Sequence, residues 1–396
     1  MKSSFVACCL LLSCSAAAPD PKPLEGRSAA VQRPGSTLDV SPQTAPAALA
    51  APPAEREPEP EPERAAEPPK SRTDDAIAAL RELSADPEPE HTTNDTHYLV
   101  SNERRHDLFR PELDDRGGVQ LGVGTDQHYV MAGWSRPELI VVVDFDQQVV
   151  ELHEVYGALM GAAPTVEEFR RLWTEQGAVD ARAALNDAID DRDRRERLLT
   201  RYDDTRPLVD KRLRKLAKRY AQLGVHSYLD TPEQYRFVAE LHAAGRVIAI
   251  RGDFTQDGVL RQVARVLDEH GLAISVLYLS NIEQYLSYRK PFRANMTALP
   301  LAEDAVVLRT LPGKPAGFHY FVQSGEDFLA WMRAKQGWTV YRMVGLAKGE
   351  HLEANRRVVL GGPGDDDEAS PGASTEAPGV TPSPDATSDP RTRAIR

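Results

Sequence analysis

GVQLGVGTDQHYVMAGWSRPELIVVVDFD, residues 118–146, is the stretch that decides the fold of this chain. A short apolar run turns at Gly122 and Gly124 and leads into a helix pattern. Thr125 or Asp126 is placed to cap that helix. A stronger apolar run comes next and ends in two acids, so the stretch predicts half of a nucleotide-binding βαβ unit.

The turn and the final acids of this stretch indicate a ligand site. Glycine lets the backbone turn sharply and approach a ligand, and amide groups at the start of a helix face that ligand. Asp144 follows the glycines by about twenty residues and can accept hydrogen bonds from ribose hydroxyls. Asp146 is a second candidate for this contact. The glycine pair alone is a weak signal, and the strand and helix around it strengthen it.

The first residues of the chain predict export. Residues 1–14 carry Lys2, an apolar core and then Leu-Leu-Ser-Cys, which resembles the lipobox of bacterial lipoproteins. The segment is too short to span a bilayer as a helix. We expect a lipid on Cys14, membrane attachment through it, and a location in the cell envelope. An ordinary secretory signal cut near residues 16–18 is the alternative.

Composition separates a folded middle from two long ends. Residues 15–94 are rich in Pro, Ala and Glu, with the repeat EPEPEPE at 57–63, and are predicted to be a disordered tether. Residues 361–396 are predicted to be a disordered acidic tail. Residues 95–360 have the right size for one α/β domain. The formal net charge of -12 argues against nucleic acid as a partner.

The rest of the domain alternates strands and helices around a helical insertion at about 164–228. Within the insertion, helical patterns cover 178–202 and 207–220, and the basic run 211–219 is interpreted as a solvated helix face rather than a membrane helix. Further strands are predicted at 247–250, 272–279, 305–311, 318–323 and 340–346, and helices at 259–270 and 327–334. This alternation predicts a doubly wound, mostly parallel sheet of the Rossmann-like type.

Polar residues follow each of the first strands. Ligands of doubly wound sheets bind beyond the carboxyl ends of the strands, so these residues are predicted to share one edge and one pocket. Asp253 alone also fits a turn, and Ser280 also fits a helix cap. The candidates at the strand ends are Gly122, Gly124, Asp126, Asp144, Asp146, Asp253, Phe254, Ser280 and Asn281.

The order of these motifs resembles the class I S-adenosylmethionine-dependent methyltransferases. The resemblance implies that Gly122 and Gly124 form the cofactor loop, that Asp144 holds the ribose, and that Asp253 with Phe254 meets the adenine. It also implies that Ser280 and Asn281, with Tyr285, lie by the methyl group. The chain departs from that pattern at Gln120, where an acid is usual, and at Asp126, where a third glycine is common.

A closer resemblance is to a little-characterised bacterial family of methyltransferase-like proteins. Its GxGxxQNY loop matches residues 122–129, its VxGDF strand end matches 250–254, and its YLSNxEQY motif matches 278–285. This resemblance covers about 98–310 and implies the methyltransferase-type fold. It adds Gln127 to the cofactor-binding candidates, and His128 stands where the family has Asn.

The sequence leaves three functional hypotheses open. The first is an enzyme that uses S-adenosylmethionine, with catalysis by Asn281, Glu283, Tyr285 or His128. The second is a non-catalytic descendant that binds a small ligand or a protein. The third treats Asp144 and Asp146 as the DxD pair of a metal-dependent glycosyltransferase. Neither a GxSxG elbow nor an HExxH motif occurs, and no metal is expected.

Overall fold

The computed structural model describes residues 71–88, 97–313, 317–347, 349–352 and 357–363. The signal segment with Cys14, most of the predicted tether and nearly all of the predicted tail lie outside these ranges. The glycine stretch 118–146 and the whole predicted insertion lie within them.

The described strands form one eight-stranded sheet in the order β3-β2-β1-β4-β5-β6-β8-β7. The first five positions are mutually parallel, β6 runs antiparallel to β5, and β7 runs antiparallel to β8. Strand order reverses between β1 and β4, which is the switch point of a doubly wound sheet. The strands are β1 Val119–Gly122, β2 Leu139–Asp144, β3 Val247–Arg251, β4 Ile274–Ser280, β5 Leu301–Pro312, β6 Phe318–Ser324, β7 Gly349–Leu352 and β8 Arg357–Leu360.

Helices cover both faces of the sheet, as the apolar run of β2 requires. Ile140 and Val142 face one core, and Val141 and Val143 face the other, because successive side chains of a strand point to opposite faces. The fold prediction, a doubly wound α/β domain with a mostly parallel sheet, is confirmed.

The helices on the first face are α3 Gln127–Ser135, α4 Gln147–Ala162, α5 Val166–Leu172, α6 Ala178–Ala188, α7 Arg192–Leu223 and α8 Pro232–Ala243. Those on the second face are α1 Arg72–Arg81, α9 Val259–Glu269, α10 Lys290–Ala298, α11 Gly325–Arg333 and α12 Val340–Leu346. The short α2, Arg110–Leu113, and 3₁₀ turns at His106–Phe109 and Ile282–Tyr285 complete the described helices. None of the described helices has the length and apolar character needed to cross a membrane.

The folded domain begins earlier than composition predicts. Composition assigns residues 71–88 to the tether, but they contain α1, which buries Ala76, Ile77 and Leu80 in the second core. Ser71 accepts a hydrogen bond from the backbone N–H of Asp74, whose carboxylate accepts from the N–H of Ser71. This reciprocal capping box holds the first turn of the helix.

Two predicted elements differ in the structure. Residues 340–346 are α12, not a strand: Thr339 caps the helix, and Val340, Met343 and Val344 are buried at helical spacing. The insertion does not break at Pro207, because α7 continues through it. The break comes before Asp191, whose carboxylate caps α7 by accepting from the N–H of Arg194 at 2.7 Å.

Candidate functional site

The carboxyl ends of four parallel strands bring the predicted site residues to one edge. Gly122 ends β1, Asp144 ends β2 and Ser280 ends β4. Asp253 follows β3 by two residues. Because β3, β2, β1 and β4 are adjacent and parallel, these residues lie along the same edge of the sheet.

The two loop glycines have different reasons to be glycine. A Cβ on Gly122 would overlap the carbonyl oxygen of Tyr278 in β4, so this position is small because two strands pack closely there. Gly124 has φ +94, a conformation that side chains strain, and a Cβ there would meet the amide of Gln127. Of the two, Gly124 therefore has the backbone shape expected of a ligand-binding turn.

Two buried histidines hold the carbonyl groups of the glycine loop. His128 donates from Nε2 to the oxygen of Val123, and His153 donates from Nε2 to the oxygen of Gly124, both at 2.9 Å. Burial lowers the pKa of His128 to about 3 and that of His153 to about 4, so both rings are neutral. Since a carbonyl only accepts, the proton of each ring lies on Nε2.

Gln120 stands where the methyltransferase pattern usually has an acid, and its contacts with His128 require an amide. Its amide nitrogen donates to Nδ1 of His128 and to the carbonyl oxygen of the same residue, each at 3.1 Å. An acid would carry no donor for this neutral ring. His128, a predicted catalytic candidate, is therefore a fully buried support of the loop.

Asp144 connects the second strand to the glycine loop. Its carboxylate accepts from the N–H of Gly124 at 3.1 Å and from the N–H of Asp146 at 3.0 Å. Burial is the largest influence and raises the pKa of Asp144 to about 6, with the charge of Asp146 acting in the same direction. The residue is partly exposed, so a ligand can approach this end of β2.

Asp146 has structural partners on both oxygens. It caps α4 by accepting from the N–H of Gln148 at 2.9 Å, and its other oxygen lies 2.7 Å from Nδ1 of His97. Between the two acids, the Phe145 ring is 44% exposed. An exposed aromatic ring beside a partly exposed carboxylate is a surface on which a nucleobase can stack.

The loop after β3 is tied to the N-terminal segment. Asp253 accepts from the N–H of Thr255 at 2.8 Å, which forms a tight turn. The carboxylate of Asp86 accepts from the N–H groups of Asp253, at 3.1 Å, and Val259, at 2.8 Å. Phe254, the predicted neighbour of an adenine, is buried in the second core instead.

Asp126 lies in a buried ion pair. Its carboxylate receives Nε of Arg212 from α7 at 2.9 Å, and both side chains are buried. Asp126 occupies the cap position of α3, but its side chain caps nothing. Gln127 instead accepts from the N–H of Thr125 at 3.0 Å. The insertion is thus locked to the start of the helix that follows the glycine loop.

A buried carboxylate that sequence patterns do not indicate, Glu103, lies over the ends of β4 and β5. It accepts from Oγ of Ser280 at 2.8 Å and from Nε2 of His106 at 2.8 Å. The hydroxyl groups of Tyr278 and Thr310 donate to it as well. Burial alone would raise the pKa of Glu103, but the hydrogen bond and charge of His106, together with the hydrogen bonds from Thr310 and Tyr278, outweigh burial and hold it at about 2.

Ser280 is strained where it meets Glu103. Its φ is 49, in the left-handed region, although it carries a side chain. Such strain costs about 1–3 kcal/mol and persists where the surroundings determine it. The hydrogen bond to Glu103 is one such determinant.

The remaining catalytic candidates separate by exposure. Glu283 is fully buried, 2.6 Å from Nε of Arg309, and it accepts from the hydroxyl of Tyr288. These contacts therefore hold Glu283 within the protein core. Asn281 is partly exposed and Tyr285 is 48% exposed, so both can reach a ligand at this edge.

The edge thus has a filled end and an accessible end. Beside the β1–β4 switch point, Glu103 contacts the ends of β4 and β5, and its carbonyl oxygen accepts from Arg212. Above β2 and β3, Asp144, Phe145 and Asp253 remain partly or well exposed. In the described part of the chain, no group of three or more His, Cys, Asp or Glu side chains is arranged to hold a metal ion.

Comparison with known proteins gives one family. No curated protein matches the chain. Residues 98–357 match the model of a family described as Domain of unknown function (DUF7790), and these residues include the glycine loop, Glu103 and the whole insertion. The match covers well over half of the chain, which therefore belongs to this family.

Proposed function

We propose that the domain binds a nucleoside-bearing small molecule at the carboxyl ends of β1, β2 and β3, with S-adenosylmethionine or its demethylated product, S-adenosylhomocysteine, as the first candidate. Asp144 carries the proposal. It is partly exposed, it ends β2, and it accepts from the N–H of Gly124. This is the arrangement in which a strand-end acid accepts ribose hydroxyls beside a glycine turn. Phe145 offers an exposed ring for the base.

A second candidate function is favoured by Glu103. It lies at the ends of β4 and β5, beside the switch point, where the rest of such a cofactor would extend. A domain that binds only the nucleoside part and transfers no methyl group is consistent with this position of Glu103. The glycosyltransferase hypothesis needs further metal ligands beside Asp144 and Asp146, and no group of three or more His, Cys, Asp or Glu side chains in the described part of the chain is arranged to supply them.

Calorimetry with the purified protein tests the proposal and separates its two forms. S-adenosylmethionine, S-adenosylhomocysteine, adenosine and methionine are titrated separately. Tighter binding of S-adenosylmethionine than of adenosine supports the enzyme, whereas equal binding supports the nucleoside-only domain. Absence of binding to all four would reject both.

Asp144→Ala is expected to weaken nucleoside binding by roughly 5-fold to 150-fold. The variant leaves ribose hydroxyls without an acceptor, at a cost of about 1–3 kcal/mol. Asp257→Ala is the matched control, since Asp257 is an exposed acid of the loop after β3 and pairs with Arg261. Equal affinities for parent and Asp144→Ala would argue against a ribose contact at Asp144.

We also propose that the chain is a lipoprotein of the cell envelope, attached through Cys14. Cys14→Ser is expected to move the protein from the membrane fraction to the soluble fraction of cells, because it removes the acceptor of the lipid. Fractionation followed by immunoblotting measures this, and Cys9→Ser is the control. Unchanged fractionation of Cys14→Ser would contradict a lipid at this residue.

A further inference from the structure

The last 13 residues of α7 differ in charge from the rest of the helix. Besides Arg212, the buried partner of Asp126, residues 211–223 contain five basic residues and no acid: Lys211, Arg214, Lys215, Lys218 and Arg219. Four of them form what we call the basic stripe: Lys211, Lys215, Lys218 and Arg219. At 3.6 residues per turn, the four point within an arc of roughly 100° on the helix. All four are exposed.

The two parts of α7 also differ in their ion pairs. In the N-terminal half of α7, arginines pair with acids of α4, of the loop before α6 and of α7 itself. These pairs are Arg192–Glu196, Arg194–Glu154, Arg197–Glu151, Arg201–Glu151 and Arg206–Glu175. Among the described residues, no acid pairs with any member of the basic stripe. The nearby acid of the same helix, Asp210, pairs with Arg214 instead.

The basic stripe is also next to exposed apolar surface. Leu208 is 43% exposed and precedes Lys211 by one turn, and Leu223, at the end of α7, is 36% exposed. Apolar side chains beside an unpaired basic face are the pattern of helices that lie on anionic lipid surfaces. The pattern is an exception in a chain with a net charge of -12.

The sequence alone favours a solvated helix face at 211–219, but on the unpaired charges and exposed leucines we propose that the basic stripe docks the domain on anionic phospholipid headgroups. Unpaired cations near an anionic leaflet each contribute to attraction, and the attraction falls off within a Debye length. The 56 residues between Cys14 and Ser71 are long enough, as sequence, to let the domain reach a membrane surface. The docking depends neither on nucleoside binding nor on the proposed lipid anchor, so protein without the anchor should still show it.

Vesicle sedimentation of protein that begins at Ser15, and so lacks both Cys14 and the apolar signal segment, tests the docking. Vesicles contain phosphatidylcholine alone or with about 30% phosphatidylglycerol, which supplies the negative surface. We expect binding only to the anionic vesicles, and loss of that binding when NaCl is raised to about 0.5 M, because salt screens exposed charges. Binding to both vesicle types, or to neither, would overturn the proposal.

Charge reversal locates the surface. The variant Lys211→Glu, Lys215→Glu, Lys218→Glu and Arg219→Glu is expected to lower the vesicle partition coefficient at least tenfold. The control reverses four exposed basic residues on the other face of the sheet, Lys290, Arg333, Lys335 and Arg342. It changes the net charge by the same amount, and we expect it to change the partition coefficient less than about threefold. Equal losses in both variants would show a net-charge effect and refute the stripe.

Thermal melting controls for the fold of the variants, and cross-linking tests another occupant of the basic stripe. Both variants must melt within a few degrees of the parent, as expected for exposed positions. Acidic segments of the chain itself, such as residues 55–67, are the competing occupant. Absence of vesicle binding together with zero-length carboxyl–amine cross-links from Lys211 or Lys215 to those acids would assign the stripe to the chain's own acids and reject the lipid proposal.

Discussion

Glu103→Gln lowers the free energy of unfolding at pH 7 by about 3 kcal/mol, as we expect from the pKa of Glu103. The folded protein holds this pKa at about 2, against 4.5 in the unfolded chain. Each pKa unit corresponds to about 1.4 kcal/mol. Glutamine keeps the shape, but its amide nitrogen faces hydroxyl donors such as Ser280, so at least one buried donor loses its acceptor.

The sign of the pH dependence distinguishes this carboxylate from a general packing effect. A depressed pKa contributes stability that is complete above about 4.5 and is lost as pH falls toward about 2. The difference between parent and Glu103→Gln should therefore shrink by more than half between pH 7 and pH 3. Urea unfolding followed by circular dichroism at both pH values measures it.

Glu82→Gln is the matched control for Glu103→Gln. Glu82 is exposed and follows α1, so the change is expected to stay within about 0.5 kcal/mol. If Glu103→Gln were as stable as this control at pH 7, the carboxylate would not be what holds residues 97–109 over the strand ends. The filled end of the crevice would then need another explanation.

Local patterns carry most of the fold. The run 139–143 is apolar at every position, which predicts a strand buried on both faces, and β2 is such a strand. The same reasoning fails at 340–346, because a short apolar run fits the spacing of a helix as well as that of a strand. The cap at Thr339 is the feature that indicates the helix. In α1, three apolar residues stand at helical spacing. The Pro- and Glu-rich sequence around them nevertheless makes composition predict a disordered tether.

The candidate site is predictable only in part. Gly124 and Asp144 are close in sequence and belong to one βαβ unit, so their contact follows from a known geometry. Glu103 meets Thr310 across 207 residues, and Asp126 meets Arg212 across 86. A single acid has no periodicity, so nothing in the sequence distinguishes a buried Glu103 from an exposed one. These contacts decide which end of the edge is filled.

We expect the affinity for nucleosides to depend on pH because of Asp144. Its pKa is about 6, so about a tenth of the molecules carry the charged acceptor at pH 5 and nearly all do at pH 7.5. If ribose binding requires the carboxylate, apparent affinity should rise about tenfold over this range. Calorimetry with adenosine or S-adenosylhomocysteine at the two pH values measures the change.

The raised pKa of Asp144 also predicts that its charged carboxylate lowers the stability of the folded protein at neutral pH. Because the folded pKa exceeds 3.8, the contribution of Asp144 to stability is complete below about pH 4 and is lost as pH rises through about 6. Asp144→Asn should therefore gain about 1–2 kcal/mol on the parent between pH 4 and pH 7, after allowance for partial exposure.

Asp144→Asn and Asp257→Asn make the comparison decisive. Asp257 is exposed, so its variant should follow the parent at both pH values and bind nucleosides normally. Asp144→Asn should gain in relative stability toward neutral pH while its nucleoside affinity falls and loses its rise between pH 5 and pH 7.5. A carboxylate that costs stability at neutral pH and is needed for binding has the properties of a ligand contact. A gain in stability with unchanged affinity would show that the raised pKa of Asp144 serves no nucleoside.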